Sequence, residues 1–153
     1  MRFTTQAEYG LICTLHLARF GDHGPVAARE LAERENLPAD YTEKILRSLR
    51  QADLVRSVRG VSGGFELARP VEEITVKDVV EATEGQTFEI NCMTHPVDPE
   101  RCGDAQCTIR PVWFALKGRI DALLAEIRLS DLVEQRESDV EEMIKITWDA
   151  MPV

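Results

Sequence analysis

Residues 54–69 restrict the fold of this chain more than any other stretch. Leu54-Val55-Arg56-Ser57-Val58 alternates apolar and polar side chains, as a strand with one buried face does. Arg59-Gly60-Val61-Ser62-Gly63-Gly64 is a glycine-rich turn, and Phe65-Glu66-Leu67-Ala68 is a returning strand. Together they predict a two-stranded hairpin with a flexible tip.

What precedes the hairpin gives it meaning. Residues 5–20 carry Tyr9, Ile12, Cys13, Leu15, His16, Leu17 and Phe20 at helical spacing, with Thr4 or Thr5 as cap and Gly21, Gly24 and Pro25 as stop. Val26 to Glu35 predict a short second helix with Leu31 and Ala32 inward. Asn36-Leu37-Pro38 is a turn. Asp40 to Leu54 predict a third helix that buries Tyr41, Ile45, Leu46, Leu49 and Leu54. Two short helices across a tight turn make a helix-turn-helix. With the hairpin directly after it, the fold class is mostly α with a two-stranded wing: a winged helix-turn-helix domain plus a long dimerisation helix.

After Pro70, Thr75 and Asp78 form a capping box for a helix over 76–82 that Gly85 stops. Thr108 is placed to cap a long helix running to about Arg128, with Pro111 in its first turn. Trp113, Leu116, Ile120, Leu123 and Ile127 alternate steps of three and four, the seam of a helix that packs along another. A partner within the same chain would satisfy so short a seam. A homodimer is the favoured reading, because one reading helix meets only a half-site. Ser130 to Val133 predict a short turn, and Ser138 with Glu141 opens a final helix towards Trp148. The predicted division is 1–84 as DNA-binding domain, 85–108 as a cysteine loop, and 109–153 as dimerisation and C-terminal helices.

The net charge of −9 argues at first against a nucleic-acid partner. Its distribution reverses that. Residues 81–153 hold seven basic and fifteen acidic side chains, whereas 41–69 hold six basic (Lys44, Arg47, Arg50, Arg56, Arg59, Arg69) and three acidic. A locally basic module is joined to an acidic one. The first residues lack the apolar core of a signal peptide, and no run is apolar enough to span a membrane, so a cytoplasmic location is expected. There thiols stay reduced, and clustered cysteines are read as metal ligands or redox sensors before disulfides.

Three of the four cysteines, Cys92, Cys102 and Cys107, lie in one stretch rich in proline, glycine and aspartate, with gaps of nine and four residues. Such a loop lets several sulfurs converge on one body. An iron–sulfur cluster, a zinc ion and a set of free thiols each suit it. Cys13, on the apolar stripe of the first helix, reads as core. No Cys/His/Asp constellation in a cleft and no phosphate-binding loop at a strand–helix junction is visible, so the chain does not read as an enzyme.

The opening Met1-Arg2-Phe3-Thr4, Tyr41 and Glu43 in the third helix, the stretch from Leu54 to Arg69, and three cysteines followed by a long helix resemble the IscR/NsrR-type winged-helix regulators. The resemblance covers roughly residues 1–135 and implies a homodimer on a palindromic operator in double-stranded DNA. It implies a 2Fe-2S or 4Fe-4S iron–sulfur cluster on Cys92, Cys102 and Cys107, with Glu8 of the partner subunit as fourth ligand. It places Tyr41, Glu43 and Lys44 where such proteins meet bases and phosphates, and Arg59 in the minor groove. The chain departs from IscR-like members, whose cysteines are evenly spaced and followed by a histidine; the corresponding position here is Arg110. The alternative is a thiol- or zinc-based regulator on the same scaffold without a cluster.

The residue types fit these roles. Arg59, followed by Gly60, suits a narrow minor groove that attracts guanidinium groups. Lys44, Arg47 and Arg50 step along one helix at three-residue intervals and suit phosphates, although such a row is often only a solvated face. Glu43 would repel phosphate unless it accepts from a cytosine amine, which makes it a selectivity element.

Overall fold

The computed structural model describes residues 4–90 and 107–134. Its helices are α1 (Thr5–Phe20), α2 (Ala28–Arg34), α3 (Ala39–Gln51), α4 (Val76–Glu84), α5 (Arg110–Glu126) and α6 (Leu129–Glu134), with strands β1 (Val55–Val58) and β2 (Gly64–Leu67). The predicted final helix, with Ser138 and Glu141, lies outside the described residues, as do Cys92 and Cys102.

The core lies where α1, α2, α3 and the base of the hairpin meet. Leu17, Leu31, Ile45, Leu46, Leu49, Leu54 and Val55 are all buried there. Each such side chain contributes about 1.5–3 kcal/mol by leaving water. Thr4 caps α1 by accepting from the Gln6 N–H at 3.1 Å. α2 and α3 end in the same way, two residues past the helix in the left-handed region: Asn36 at φ 54° and Asp53 at φ 55°. The next N–H then reaches back, Leu37 to the Ala32 carbonyl at 2.8 Å and Leu54 to the Leu49 carbonyl at 3.0 Å. These are Schellman closures, with asparagine and aspartate in place of glycine. They stop α3 at Gln51, three residues short of the predicted end, and turn buried Leu54 into the root of the wing.

The hairpin is antiparallel, with Val55 opposite Leu67 and Val58 opposite Gly64. Val26, predicted to open α2, instead bridges to Phe65, exchanging N–H···O bonds of 2.9 and 2.8 Å. Gly64 permits this approach, since a Cβ there would lie 2.4 Å from the Val26 carbonyl oxygen. The wing is thereby tied to the segment between α1 and α2.

α4 carries the predicted capping box on Thr75 and Asp78 and ends at Gly85 in the left-handed region. It packs closely on α1 at Gly10, where a Cβ would come within 2.7 Å of Thr83 Cγ2. α5 begins without the predicted Thr108 cap. Ile109 is its N-cap residue and makes no side-chain cap bond, and Pro111 sits in the first turn. A further bridge joins Thr75 and Arg128, with the Val76 N–H donating to the Ile127 carbonyl at 2.8 Å and Leu129 to Ile74 at 2.9 Å.

Candidate nucleic-acid interface and sensor residues

On α3 the pattern of burial separates two faces. Thr42, Ile45, Leu46 and Leu49 are buried, while Glu43, Lys44, Arg47 and Arg50 are exposed. With Asp40, also exposed in the first turn, three cations and two acids on one helix thus remain available to an external partner. Tyr41 stands between the faces. It is half-buried against the core, and its ring meets Tyr9 of α1 edge-on, with centroids 5.5 Å apart. An open cleft of about 630 Å³ between α2 and α3 is lined by Arg29, Glu33, Asn36 and Glu43, among others. Arg29 is paired with Glu33 at 2.9 Å, one turn away on α2. Sequence reasoning did not find this cleft, because its walls come from two helices.

At the wing tip Arg59 and Gly60 are exposed, as is Val61. Gly60 has φ 130°, which an L side chain rarely adopts, and its carbonyl accepts from the Gly63 N–H at 3.1 Å. On the strands, Arg56 pairs with Glu66 at 2.7 Å, so that cation is engaged within the wing and Arg59 is the arginine presented at the tip.

The proposed sensor residues are described only in part. Cys107 is a free thiol, half-buried, just ahead of α5. Glu8 is exposed in the first turn of α1. No group of three or more His, Cys, Asp or Glu that could hold a metal occurs among the described residues. Cys13 is a core residue, as expected. Burial first and the nearby Glu35 second push its thiol up to about 12, which keeps it protonated and unreactive. Beside it, buried His16 sets Nδ1 2.6 Å from Glu35 Oε1, while its Nε2 has no partner among the described residues. The helical spacing hid this pair, since His16 falls on the apolar stripe.

Two further polar contacts hold the elements around these residues. Glu84, the last residue of α4, accepts from the backbone N–H groups of Thr4 at 3.2 Å and Ala7 at 3.3 Å, and from the Thr4 hydroxyl. A carboxylate at a helix N-terminus is favoured by the aligned peptide dipoles. On α5, Lys117 donates to Asp121 Oδ2 at 2.7 Å and to the Thr87 hydroxyl at 3.2 Å, and that hydroxyl donates to Asp121 Oδ1. Burial raises the Asp121 carboxyl, but the hydrogen bonds from Lys117 and Thr87 and the charges of Lys117 and Lys77 outweigh it, leaving it below its ordinary value.

A helix-turn-helix with a basic outward face, followed by a hairpin with an arginine at its tip, defines a winged-helix DNA-binding protein. Residues 3–135 match the Rrf2 family, described as iron-dependent transcriptional regulators, and the chain belongs to that family. It is 32% identical over 138 residues to the HTH-type transcriptional regulator IscR of Photorhabdus laumondii, covering 90% of this chain and 82% of the relative. Among solved structures, it resembles CymR, titled the global cysteine regulator of B. subtilis, with a TM-score of 0.69 and 27% identity over 90% of this chain and 99% of that one. It also resembles T. potens IscR, with a TM-score of 0.67 and 29% identity over 100% and 93% of the two chains. The protein is a DNA-binding transcription regulator and not an enzyme. Among the described residues no helix is long and apolar enough to cross a membrane.

Proposed function

We propose that the protein is a cytoplasmic, homodimeric regulator that reads a palindromic operator and senses redox state, iron or nitric oxide through an iron–sulfur cluster. The observation that carries this reading is the position in the sequence of three cysteines, Cys92, Cys102 and Cys107, between a DNA-reading head and a helix whose start exposes large apolar side chains. The donor set fits the group. Three thiolates suit iron–sulfur ligation, Cys107 is free and partly accessible, and exposed Glu8 of the partner subunit supplies a carboxylate as fourth ligand. When bound, the cluster supplies a redox- and ligand-sensitive centre. This chain's own residues translate its state into DNA binding. Membership of a family described as iron-dependent supports the same reading.

The apolar start of α5 supports the dimer. Ile109, Val112, Trp113, Phe114 and Leu116 are all exposed. A patch of this kind marks an interaction surface. The far end of the predicted seam is used internally, since Ile127 and neighbouring Leu124 pack on Ala7, Val76 and Val80. On DNA, Lys44 and Arg47 hold phosphates, Tyr41 and Glu43 meet bases, and Arg59 enters the minor groove with Gly60 allowing the close approach.

A second reading is a thiol- or zinc-based regulator on the same scaffold, favoured by the free thiol of Cys107 and by the likeness to a cysteine regulator. Anaerobic purification with an absorption spectrum and iron and sulfide counts separates the two. Visible absorbance that disappears in Cys102→Ala supports the cluster, whereas a colourless protein containing zinc or no metal supports the second reading.

A further inference from the structure

The helix α5 is held to its own chain in two distinct ways, and its start is left exposed. At its C-terminal end the contact is apolar, through Leu124 and Ile127, and is followed by the backbone bridge between 74–76 and 127–129. At its N-terminal end, large apolar side chains from Ile109 to Leu116 face solvent. Midway, the attachment is polar: Lys117 and Asp121 close on the buried hydroxyl of Thr87, which both donates and accepts.

Thr87 follows closely on Glu84, which is bound to the first turn of α1. Residues 84–87 are therefore tied on one side to the helix that backs the reading head and on the other to the middle of α5. Apolar contacts are non-directional and tolerate sliding. Hydrogen bonds weaken steeply when misaligned. A helix of 17 residues is about 25 Å long, so a pivot of about 10° at its packed end moves its free end by about 4 Å. Among the described residues, the polar contact is thus an element midway along α5 that is able to select one angle.

We propose that Thr87, Lys117 and Asp121 are positioning residues that fix the angle of α5 against the reading head, and hence the separation of the two heads in the dimer. The proposal rests on the dimeric reading above. It assigns the three residues a role in operator geometry, beyond holding the fold together. Spacing is the readout because two half-sites must match the separation of two heads, whereas a purely stabilising contact would not alter it.

The test begins with selection of DNA from a random pool by the wild-type protein, after which one base pair is inserted between the recovered half-sites. Wild type is expected to lose about tenfold or more in affinity on the insertion. Thr87→Val and Asp121→Asn are expected to lose about threefold or less, with affinity for a single half-site within about twofold of wild type. Thr87→Ser keeps the hydroxyl and should restore the wild-type preference. Wild-type spacing preference in both variants, at unchanged half-site affinity, overturns the proposal. An equal fall on single and paired sites also overturns it, since that assigns the residues to the stability of the head. Recovery of single half-sites alone by wild type shows instead that the dimeric reading has failed, and the positioning role falls with it.

Discussion

The reading head and the helix α5 solve the problem of apolar surface in opposite ways. In the head, Leu17, Leu31, Leu46 and Leu49 are at most 1% exposed and pack on one another across three helices and a hairpin. At the start of α5, the cap residue Ile109 is 60% and Val112 59% exposed, and the helix has no fully buried residue. The head completes its core within one chain, while α5 has a face left over. Stability and assembly should therefore respond to different residues.

The largest effect separates them. Leu46→Ala removes a fully buried side chain and should cost about 2–5 kcal/mol, read as a lower denaturation midpoint. Trp113→Ala, at a position 40% exposed, should leave the unfolding of the head nearly unchanged while weakening self-association by about tenfold or more, read by sedimentation. Equal losses of stability from both substitutions would erase the distinction between a finished and an unfinished region.

The distinction also explains what was legible in the sequence. The head could be read closely because local rules dominate it: the 3.6-residue apolar stripe, the Thr4 cap, the Thr75/Asp78 box and the period-two hairpin all act within a few residues. What escaped was pairing at a distance. Val26 bonds Phe65 through a single bridge that carries no alternation, so in the sequence it reads as the start of α2. Glu84 caps a helix some eighty residues earlier, and Thr87 meets Asp121 thirty-four residues later. α3 ends short of its predicted limit because Asp53 takes the place of the glycine that ordinarily announces a helix end. The apolar spacing of α5 is legible in the sequence, but its division between an outward start and an inward end depends on where Val76 and Val80 lie.

Within the head, the wing and α3 should contribute differently to DNA binding. Arg59→Ala should cost about 1–3 kcal/mol in operator affinity and relax the preference for A·T-rich flanks. Lys44→Ala should weaken binding to all sequences alike and lower the salt dependence by about one ion. Fluorescence anisotropy across a salt series measures both. Identical profiles for the two variants would mean that the wing reads no sequence.

A smaller effect lies on α5. The Asp121 carboxyl is held below its ordinary value in the folded protein. Its contribution is therefore complete above the unfolded value of about 3.9, and it is lost as the pH falls through the lower folded value. Melting temperature followed from pH 5 downwards should fall more steeply for wild type than for Asp121→Asn. Parallel curves would show that the contact with Lys117 and Thr87 adds nothing to stability.

The smallest effect tests the head's local rules. Asn36 and Asp53 both hold φ near 55° at the ends of α2 and α3, a conformation in which glycine carries no steric cost. Asn36→Gly relieves that strain but gives the unfolded chain more freedom, and the two nearly cancel. Asn36 also lines the cleft between α2 and α3, and its side chain is exposed there. The substitution should accordingly shift stability by no more than about 0.5 kcal/mol while lowering operator affinity, whereas Asp53→Gly, at the foot of the wing, should leave affinity unchanged. A stability change well above that size at Asn36 would mean that its side chain holds the turn together, and the cleft would then be a structural feature of the helix-turn-helix with no part in reading DNA.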